Sequence, residues 1–544
     1  MEMREMRSLG SRDSGMSEST LASSTSSSFF RPTKRQCRTV SLAITTVVLL
    51  FLSITWGAVL HPVRHLAAVV QPCPDPSNGL QVPIDKPLDE VDLWFGDRRQ
   101  LVSLDPGLAI TLSRSYLWPC SAFAIDIQRY GYHEKACELA ESRSNMSVDP
   151  DVLRHVKEEL GPDTFMLRIS GGQRWTNETP RYLGGCRWRF DVSLSNGGDM
   201  WLELWHTYTD YKAFDEADPS DWIDYSQTSL LEQPLHLDLC SSRCKTSYYP
   251  QHNLAQVESY VEAPYRTPGM PPCGDRTVSG IWLPWHPVDK MYPPAPIIPP
   301  RKGSSPLMGQ YHFQPNGCHL YHAGNQFLED HSRCTVRKDG KEWNVLFLGD
   351  SHMRFVLHSW QYRLAGHTDY YPEKEKPEWK KSVAKYKDSS YYFNWAPYAK
   401  DWHSDVQAED LENIDAVVAS YCSWPAMNGI TAAEYLDHLN HGLDVIDRHA
   451  TSRLTRKVWL TSAPFPPWTK PDRKERRTNA QLAYWNRITK RLLHERGWLI
   501  VDQFELGMPL VLEIAAGDAV HLSPSDAHAV IVDDVLAKAG ICSV

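Results

Sequence analysis

The sequence predicts an α/β protein: a three-layer parallel-sheet domain at residues 306–544, preceded by a β-sandwich-like module and an N-terminal transmembrane helix. Three observations carry the prediction. In the C-terminal part, short apolar runs alternate with helical patterns, as in a parallel sheet covered by helices. In the middle, period-2 alternations recur with turn residues between them. Near the N-terminus, one uncharged apolar run matches the thickness of a bilayer.

In chain order, residues 1–38 are rich in Ser, Thr and Arg and read as a disordered cytosolic tail. Residues 39–60, TVSLAITTVVLLFLSITWGAVL, are the expected anchor. Arg31, Lys34, Arg35 and Arg38 precede it and Arg64 alone follows closely, so the positive-inside rule puts the rest of the chain across the membrane. A cleaved signal peptide would have a shorter apolar core nearer Met1. Residues 61–84 are a lumenal stem.

Of 12 cysteines, only Cys37 precedes the span; the others, Cys73 to Cys542, fall where disulfides form. Their number is odd, which leaves at least one without an intrachain partner. Pairing within Cys240, Cys244 and Cys273, and of Cys318 with Cys334, is one arrangement; the sequence does not fix it. No second ligand pair accompanies Cys240 and Cys244, which argues against zinc. Asn145 and Asn177 begin sequons, Asn-Met-Ser and Asn-Glu-Thr, usable in such a compartment.

Residues 85–261 form the sandwich-like module, with strands expected at 164–169, 186–194 and 200–205. Asn196-Gly197-Gly198-Asp199 reads as a hairpin between the last two. Asp215, Glu216, Asp218 and Asp221 lack the spacing of a cation loop and read as a solvated surface. Residues 262–305 are a Pro-rich connector, extended on the surface and held by Trp282, Trp285 and Tyr292.

Within 306–544, strands are expected at 345–348, 391–395, 414–420, 457–464 and 498–502, and helices at 432–449, 481–496 and 526–540. The stretch WNVLFLGDSHMR, residues 343–354, joins a buried strand to a helix through Gly349-Asp350-Ser351. Such a turn presents a side chain at the carboxyl edge of a sheet, where open α/β sheets keep their chemistry. Ser351 is therefore a candidate nucleophile. Asp518 and His521, on the loop before the last helix, are its candidate partners: His521 as general base, Asp518 orienting the imidazole. Asp350 alone would read equally well as a helix cap. His352, His358 and His528 read as structural or surface residues. No metal site is expected. With a net charge of −9, nothing overall points to nucleic acid. The 20 Trp and 24 Tyr supply core and flat platforms for sugar rings.

FLGDSHMR at 347–354, YFNWAPY at 392–398, TSAP at 461–464 and DAVH at 518–521 resemble the blocks of the PC-esterase branch of the SGNH (GDSL-like) hydrolases. That branch includes trichome-birefringence-like O-acetyltransferases and neurexophilin-and-PC-esterase proteins. The segment GGCRWRFDVSLSNGGDMWLELW is similar, less specifically, to the sandwich that precedes the esterase domain in the neurexophilin-like members. The resemblance implies an SGNH-like sheet and a Ser-His-Asp acyl-enzyme mechanism. Gly349, Asp350 and Arg354 would support it. The wider group's GxND block is absent after residue 419, so Ser420, Asn428 or Arg354 is the candidate for the remaining oxyanion donor. The expected function is transfer of an O-acyl (acetyl) group to glycan or polysaccharide hydroxyls, in the Golgi or another secretory membrane. Hydrolysis of such esters is the alternative, and a non-catalytic lumenal glycan-binding protein is the alternative of another class. No resident cofactor is expected. A transferase would need an acyl donor such as acetyl-CoA or an acetylated intermediate, supplied by a membrane partner.

Overall fold

The computed structural model describes residues 95–115, 122–131, 137, 149–194, 198–214, 228–239, 271–284, 311–316, 318, 320, 342–364, 381–386, 389–421, 423–466, 476–514, 520–522 and 525–541. All of them belong to one compact unit, Pro72–Val544. The expected anchor, Asn145, the acidic residues at 215–221, Cys240, Cys244, Cys334 and Asp518 lie outside the described residues.

The first half supplies β1 (Phe95–Leu101), β2 (Leu108–Ser115), β3 (Ala122–Arg129), β4 (Thr164–Gly171), β5 (Trp175–Asn177), β6 (Arg181–Tyr182), β7 (Arg187–Ser193), β8 (Gly198–Tyr208), β9 (Thr228–Ser229) and β10 (Leu235–Leu239). They make two five-stranded sheets, β1-β2-β3-β7-β6 and β10-β8-β4-β5 with β9 beside β8. Every pairing in both is antiparallel. Period-2 alternation gives each sheet an apolar face, and the two faces share one core. Ile110, Phe123, Ile125, Trp188 and Phe190 come from one sheet, Phe165, Leu167, Leu202 and Leu204 from the other. Residues 196 and 197 of the expected hairpin lie outside the described residues, and the strands it would join do not pair with each other. β7 and β8 are neighbours in no sheet, because each puts its apolar face into the core from the opposite side.

Two strands follow, β11 (Gly280–Pro284) within the expected connector and β12 (Tyr311–Pro315) just beyond it, paired antiparallel. The connector is not only surface. Trp282 is fully buried and donates its indole N–H to the Leu506 carbonyl at 2.9 Å. Cys273 bonds to Cys318, and Cys137 to Cys186. The expected pairing of Cys318 with Cys334 is thereby corrected; the partners are brought together by the β11–β12 pairing rather than by nearness in sequence.

The last sheet contains β13 (Trp343–Gly349), β14 (Lys381–Tyr386), β15 (Ser389–Trp395), β16 (Ala416–Ala419), β17 (Arg456–Leu460) and β18 (Leu499–Val501), in the order β14-β15-β13-β16-β17-β18. Its long helices are α1 (Ser351–Leu364), α2 (Ala432–His449), α3 (Asn479–Glu495) and α4 (Asp526–Lys538). Met353, Val356, Leu357 and Trp360 of α1 and Val530, Ile531 and Val535 of α4 pack on Val345, Phe347, Val418 and Val458. Leu439, Leu443 and Ile446 of α2 and Leu482 and Trp485 of α3 pack on Leu346, Leu348, Val417 and Trp459. Trp205, Tyr208 and Phe214, from and just after β8, join that second cluster, so the antiparallel half and the helix-covered half share a core.

The expected fold class therefore needs correction. The protein is mixed α/β, dominated in its first half by antiparallel sheets. The helix-covered sheet is itself mixed, because β14 runs antiparallel to β15. Only two residues separate those strands in sequence, far fewer than a parallel crossover requires. No helix among the described residues is long and apolar enough to cross a membrane.

Gly442 of α2 lets the helix close onto the segment after β15. A Cβ there would lie 2.7 Å from the Trp402 ring and 2.9 Å from Ala399. Trp402 in turn donates to the Ala396 carbonyl at 3.0 Å. Gly442→Ala is expected to destabilise the fold by about 1–3 kcal/mol through overpacking, outweighing the helix-propensity gain of ~1 kcal/mol. Urea denaturation should show a lower midpoint; an unchanged or higher one would contradict this packing.

Candidate active site

β13 lies inside the sheet, flanked by β15 and β16, both parallel to it. After β13 the chain fills first the β15 side and then the β16 side. The carboxyl end of β13 is thus a topological switch point, where the flanking loops diverge and leave a crevice. Gly349, Asp350 and Ser351 sit there.

Gly349 makes the turn. Its φ is +154°, and a Cβ on it would lie 2.9 Å from the Ser420 carbonyl oxygen. The Gly349 carbonyl accepts from Ala396 N at 3.0 Å, and the Leu348 carbonyl from Ser420 N at 3.0 Å. Ser420 therefore holds the turn against β16, and its N–H is committed to the sheet rather than to a substrate. Asp350 is buried and its Oδ1 accepts from His352 N at 2.9 Å, fixing the first turn of α1. Burial pushes its carboxyl up from the usual range; the His352 hydrogen bond and the charges of His521, Arg477 and Arg354 oppose that.

Ser351 opens α1. Its Oγ lies 2.7 Å from Nε2 of His521, which belongs to the loop before α4. A hydroxyl and an imidazole at that distance can exchange a proton as the oxygen attacks. The ring of His521 rests against Phe355, centroids 4.5 Å apart, and against His352 at 4.9 Å. Both groups are half-buried, so the pair opens to the surface.

Among the other expected residues, Arg354 is buried one turn into α1, with its guanidinium 5.5 Å from the Trp395 ring centre and 5.8 Å from that of Phe355. Asn428 is exposed, and its amide donates to the Tyr398 hydroxyl at 2.5 Å. It helps hold an aromatic wall: Trp395 and Tyr398 both meet Trp424 edge-on, at 5.9 and 6.3 Å. His528 is structural, its Nε2 2.7 Å from Ser359 Oγ in the core.

Sequence reasoning missed Arg477. It is buried, donates to Ser423 Oγ at 3.1 Å and stacks 4.0 Å from the Phe465 ring centre. Phe465 meets His352 edge-on at 6.1 Å. Arg477 and Arg354 together place two cationic groups within electrostatic reach of the residue before Ser351. Arg477 ends the polar run KPDRKERR, which carries no signal that its last residue turns inward.

Searched against family models and against curated proteins, the chain matches none.

Two outcomes follow from this geometry. Gly349→Ala forces a side chain onto the Ser420 carbonyl from a backbone conformation that L residues avoid. It should cost about 1–3 kcal/mol of stability and displace Ser351, measurable as a lowered denaturation midpoint and lost serine reactivity. His358, one turn beyond Arg354, is pushed from 6.5 down to about 4, by burial first and then by the Arg354 charge. The unfolded chain protonates it more readily. Stability is then whole above pH 6.5, falls as the pH drops toward 4, and loses at most about 3 kcal/mol. Between pH 7 and 4.5, urea midpoints of His358→Gln should fall less than those of wild type; parallel curves would contradict the assignment.

Proposed function

We propose that this protein is a serine-dependent O-acyl transferase acting on glycan hydroxyls in the lumen of the secretory pathway. The observation that carries the reading is the 2.7 Å contact between Ser351 Oγ and His521 Nε2 at the switch point of the sheet. Ser351 attacks the acyl carbonyl, and His521 takes its proton and passes it to the leaving oxygen or sulfur. The resulting acyl-Ser351 ester is discharged by a sugar hydroxyl, whose proton goes to His521 and from there to the departing Ser351 oxygen as the acyl–Oγ bond breaks. Asp518 is assigned the orienting role behind His521. The Ser351 N–H at the start of α1 is the proposed oxyanion donor, with Arg354 and Arg477 adding positive field as charge develops.

The resemblance to the PC-esterase branch of the SGNH hydrolases supports the acyl chemistry, and the half-buried Trp395, Tyr398 and Trp424 support a sugar acceptor. Two disulfides among the described residues support an oxidising compartment. Partial exposure of Ser351 and His521 admits water to the acyl-enzyme, which favours ester hydrolysis as the second reading.

A fluorophosphonate probe should label the wild-type protein at Ser351. Ser351→Ala should not label, and His521→Ala should label at least on the order of 10³-fold more slowly. A folded wild-type protein that stays unlabelled would sink both enzymatic readings in favour of a binding protein. Glycan mass spectrometry of cells lacking the protein separates transfer, which predicts fewer acetyl groups, from hydrolysis, which predicts more.

A further inference from the structure

Thr176 of β5 and Glu178 just after it face the helix-covered half of the protein. Glu178 is buried, and its carboxyl accepts a hydrogen bond from Asn479 Nδ2, at the start of α3. The backbone fixes the orientation of that amide. Phe465 N can only donate, so the Asn479 atom 2.7 Å from it is Oδ1. Nδ2 then has two hydrogens to give. One goes to the Phe465 carbonyl at 2.7 Å and the other to Glu178. Asn479 therefore holds both backbone groups of Phe465 and takes its remaining support from the antiparallel half. Thr478, which caps α3, donates to the Ala213 carbonyl and makes a second link to that half.

Phe465 leads into the candidate active site. Its ring carries the Arg477 guanidinium at 4.0 Å and meets His352 edge-on at 6.1 Å. His352 in turn packs 4.9 Å from the ring of His521. A continuous line of contacts thus runs from Glu178 to the proposed base.

Charged groups face this carboxyl from both halves. On its own side of the sheet, Arg168 of β4 is paired with Glu203 of β8. His206 of β8 lies on the other side, stacked on Phe165. Across the interface stand Glu505, the Lys490–Asp502 pair and Arg477, which is turned toward Ser423. Burial dominates and pushes Glu178 up to about 7, against the hydrogen bonds of Asn479 and Thr207. The Thr207 hydroxyl can accommodate the added proton. It lies 2.9 Å from that of Thr164, and either can be the donor, so the chain reverses when Glu178 donates. A cleft of about 150 Å³, lined by Glu178, Asn479, Phe504 and Met508, gives protons a path to the carboxyl. An interface opened to water would return that carboxyl toward its ordinary 4.5. Closure therefore favours the neutral form: its hold is complete below pH 4.5 and is lost as the pH rises through about 7.

We propose that Glu178 is a positioning residue for the reaction at Ser351: as a neutral carboxyl it keeps the antiparallel half closed on α3, so that Asn479 holds Phe465, and Phe465 holds Arg477 and His352, against the Ser351–His521 pair. The antiparallel half then sets the geometry of the site instead of acting as a separate binding module. The inference rests on the enzymatic reading above.

Two readouts on the full chain test it. Hydrogen exchange of the Phe465 amide, corrected for its intrinsic pH dependence, reports the Asn479 clamp without any need for activity. Its protection should fall roughly tenfold from pH 6 to pH 8 in wild type and stay level in Glu178→Gln, whose amide does not ionise. The rate of fluorophosphonate labelling at Ser351, taken as the ratio of wild type to Glu178→Gln, should fall by up to about tenfold over the same range. The ratio removes the titration of His521, which both proteins share. Level protection in wild type would overturn the dependence of the clamp on Glu178. Labelling at Ser351 with a constant ratio would overturn the positioning role and leave the enzymatic reading standing. Folded wild type that is never labelled, with protection still falling, would overturn the enzymatic reading and the positioning role with it.

Discussion

The close approach of two backbones at Gly349 is the constraint on which the rest of the site depends. With no side chain, Gly349 lets β13 end against the carbonyl of Ser420, just after β16, while its own carbonyl takes the Ala396 N–H from beyond β15. Three strands are thereby locked together at the point where the chain turns into α1. The turn delivers Ser351 to the open edge, and the buried Asp350 fixes the first helical turn behind it. The cost is a backbone conformation nearly reserved for glycine, held in place by a fully packed sheet below.

The surroundings follow from that fixed point. Arg354 comes one turn later on α1 and is held over Trp395, the last residue of β15. The loop after β17 brings Phe465, on which Arg477 stacks, and Asn479 anchors Phe465 N at 2.7 Å. Asn479 also donates to Glu178 of the antiparallel half. One amide thus ties the wall of the candidate site to β5, so the antiparallel half is structurally continuous with the site. Burial raises the Glu178 carboxyl to about 7, so this tie changes charge near neutral pH.

Much of the site could be read in the sequence, and the reason is physical. A strand covered on both sides must be continuously apolar, which made Val345 to Leu348 conspicuous. A glycine, an acid and a serine at its end could then be read as a turn. The strong helical periods of α2 and α3 were legible for the same reason. β14 was not, because KSVAKY at a sheet edge has no inner run of apolar residues; Val383 is 56% exposed. The lack of pairing between β7 and β8 shows another limit: turn residues mark a reversal without saying which sheet the next strand joins. Cys273–Cys318 and Arg477 depend on distant segments meeting, and no local pattern encodes that. Asn428 is the nearest asparagine in sequence after β16, yet its side chain belongs to the Tyr398 wall.

Ser351, activated by His521, is proposed to form a covalent acyl-enzyme. Rapid-quench reaction with p-nitrophenyl acetate, followed by peptide mapping, tests it most directly. Expected are a stoichiometric burst of p-nitrophenolate and an acetyl group on the peptide containing Ser351, absent in Ser351→Ala and slow to form in His521→Ala. No burst from folded protein, or acetyl on another residue with Ser351 untouched, would contradict it.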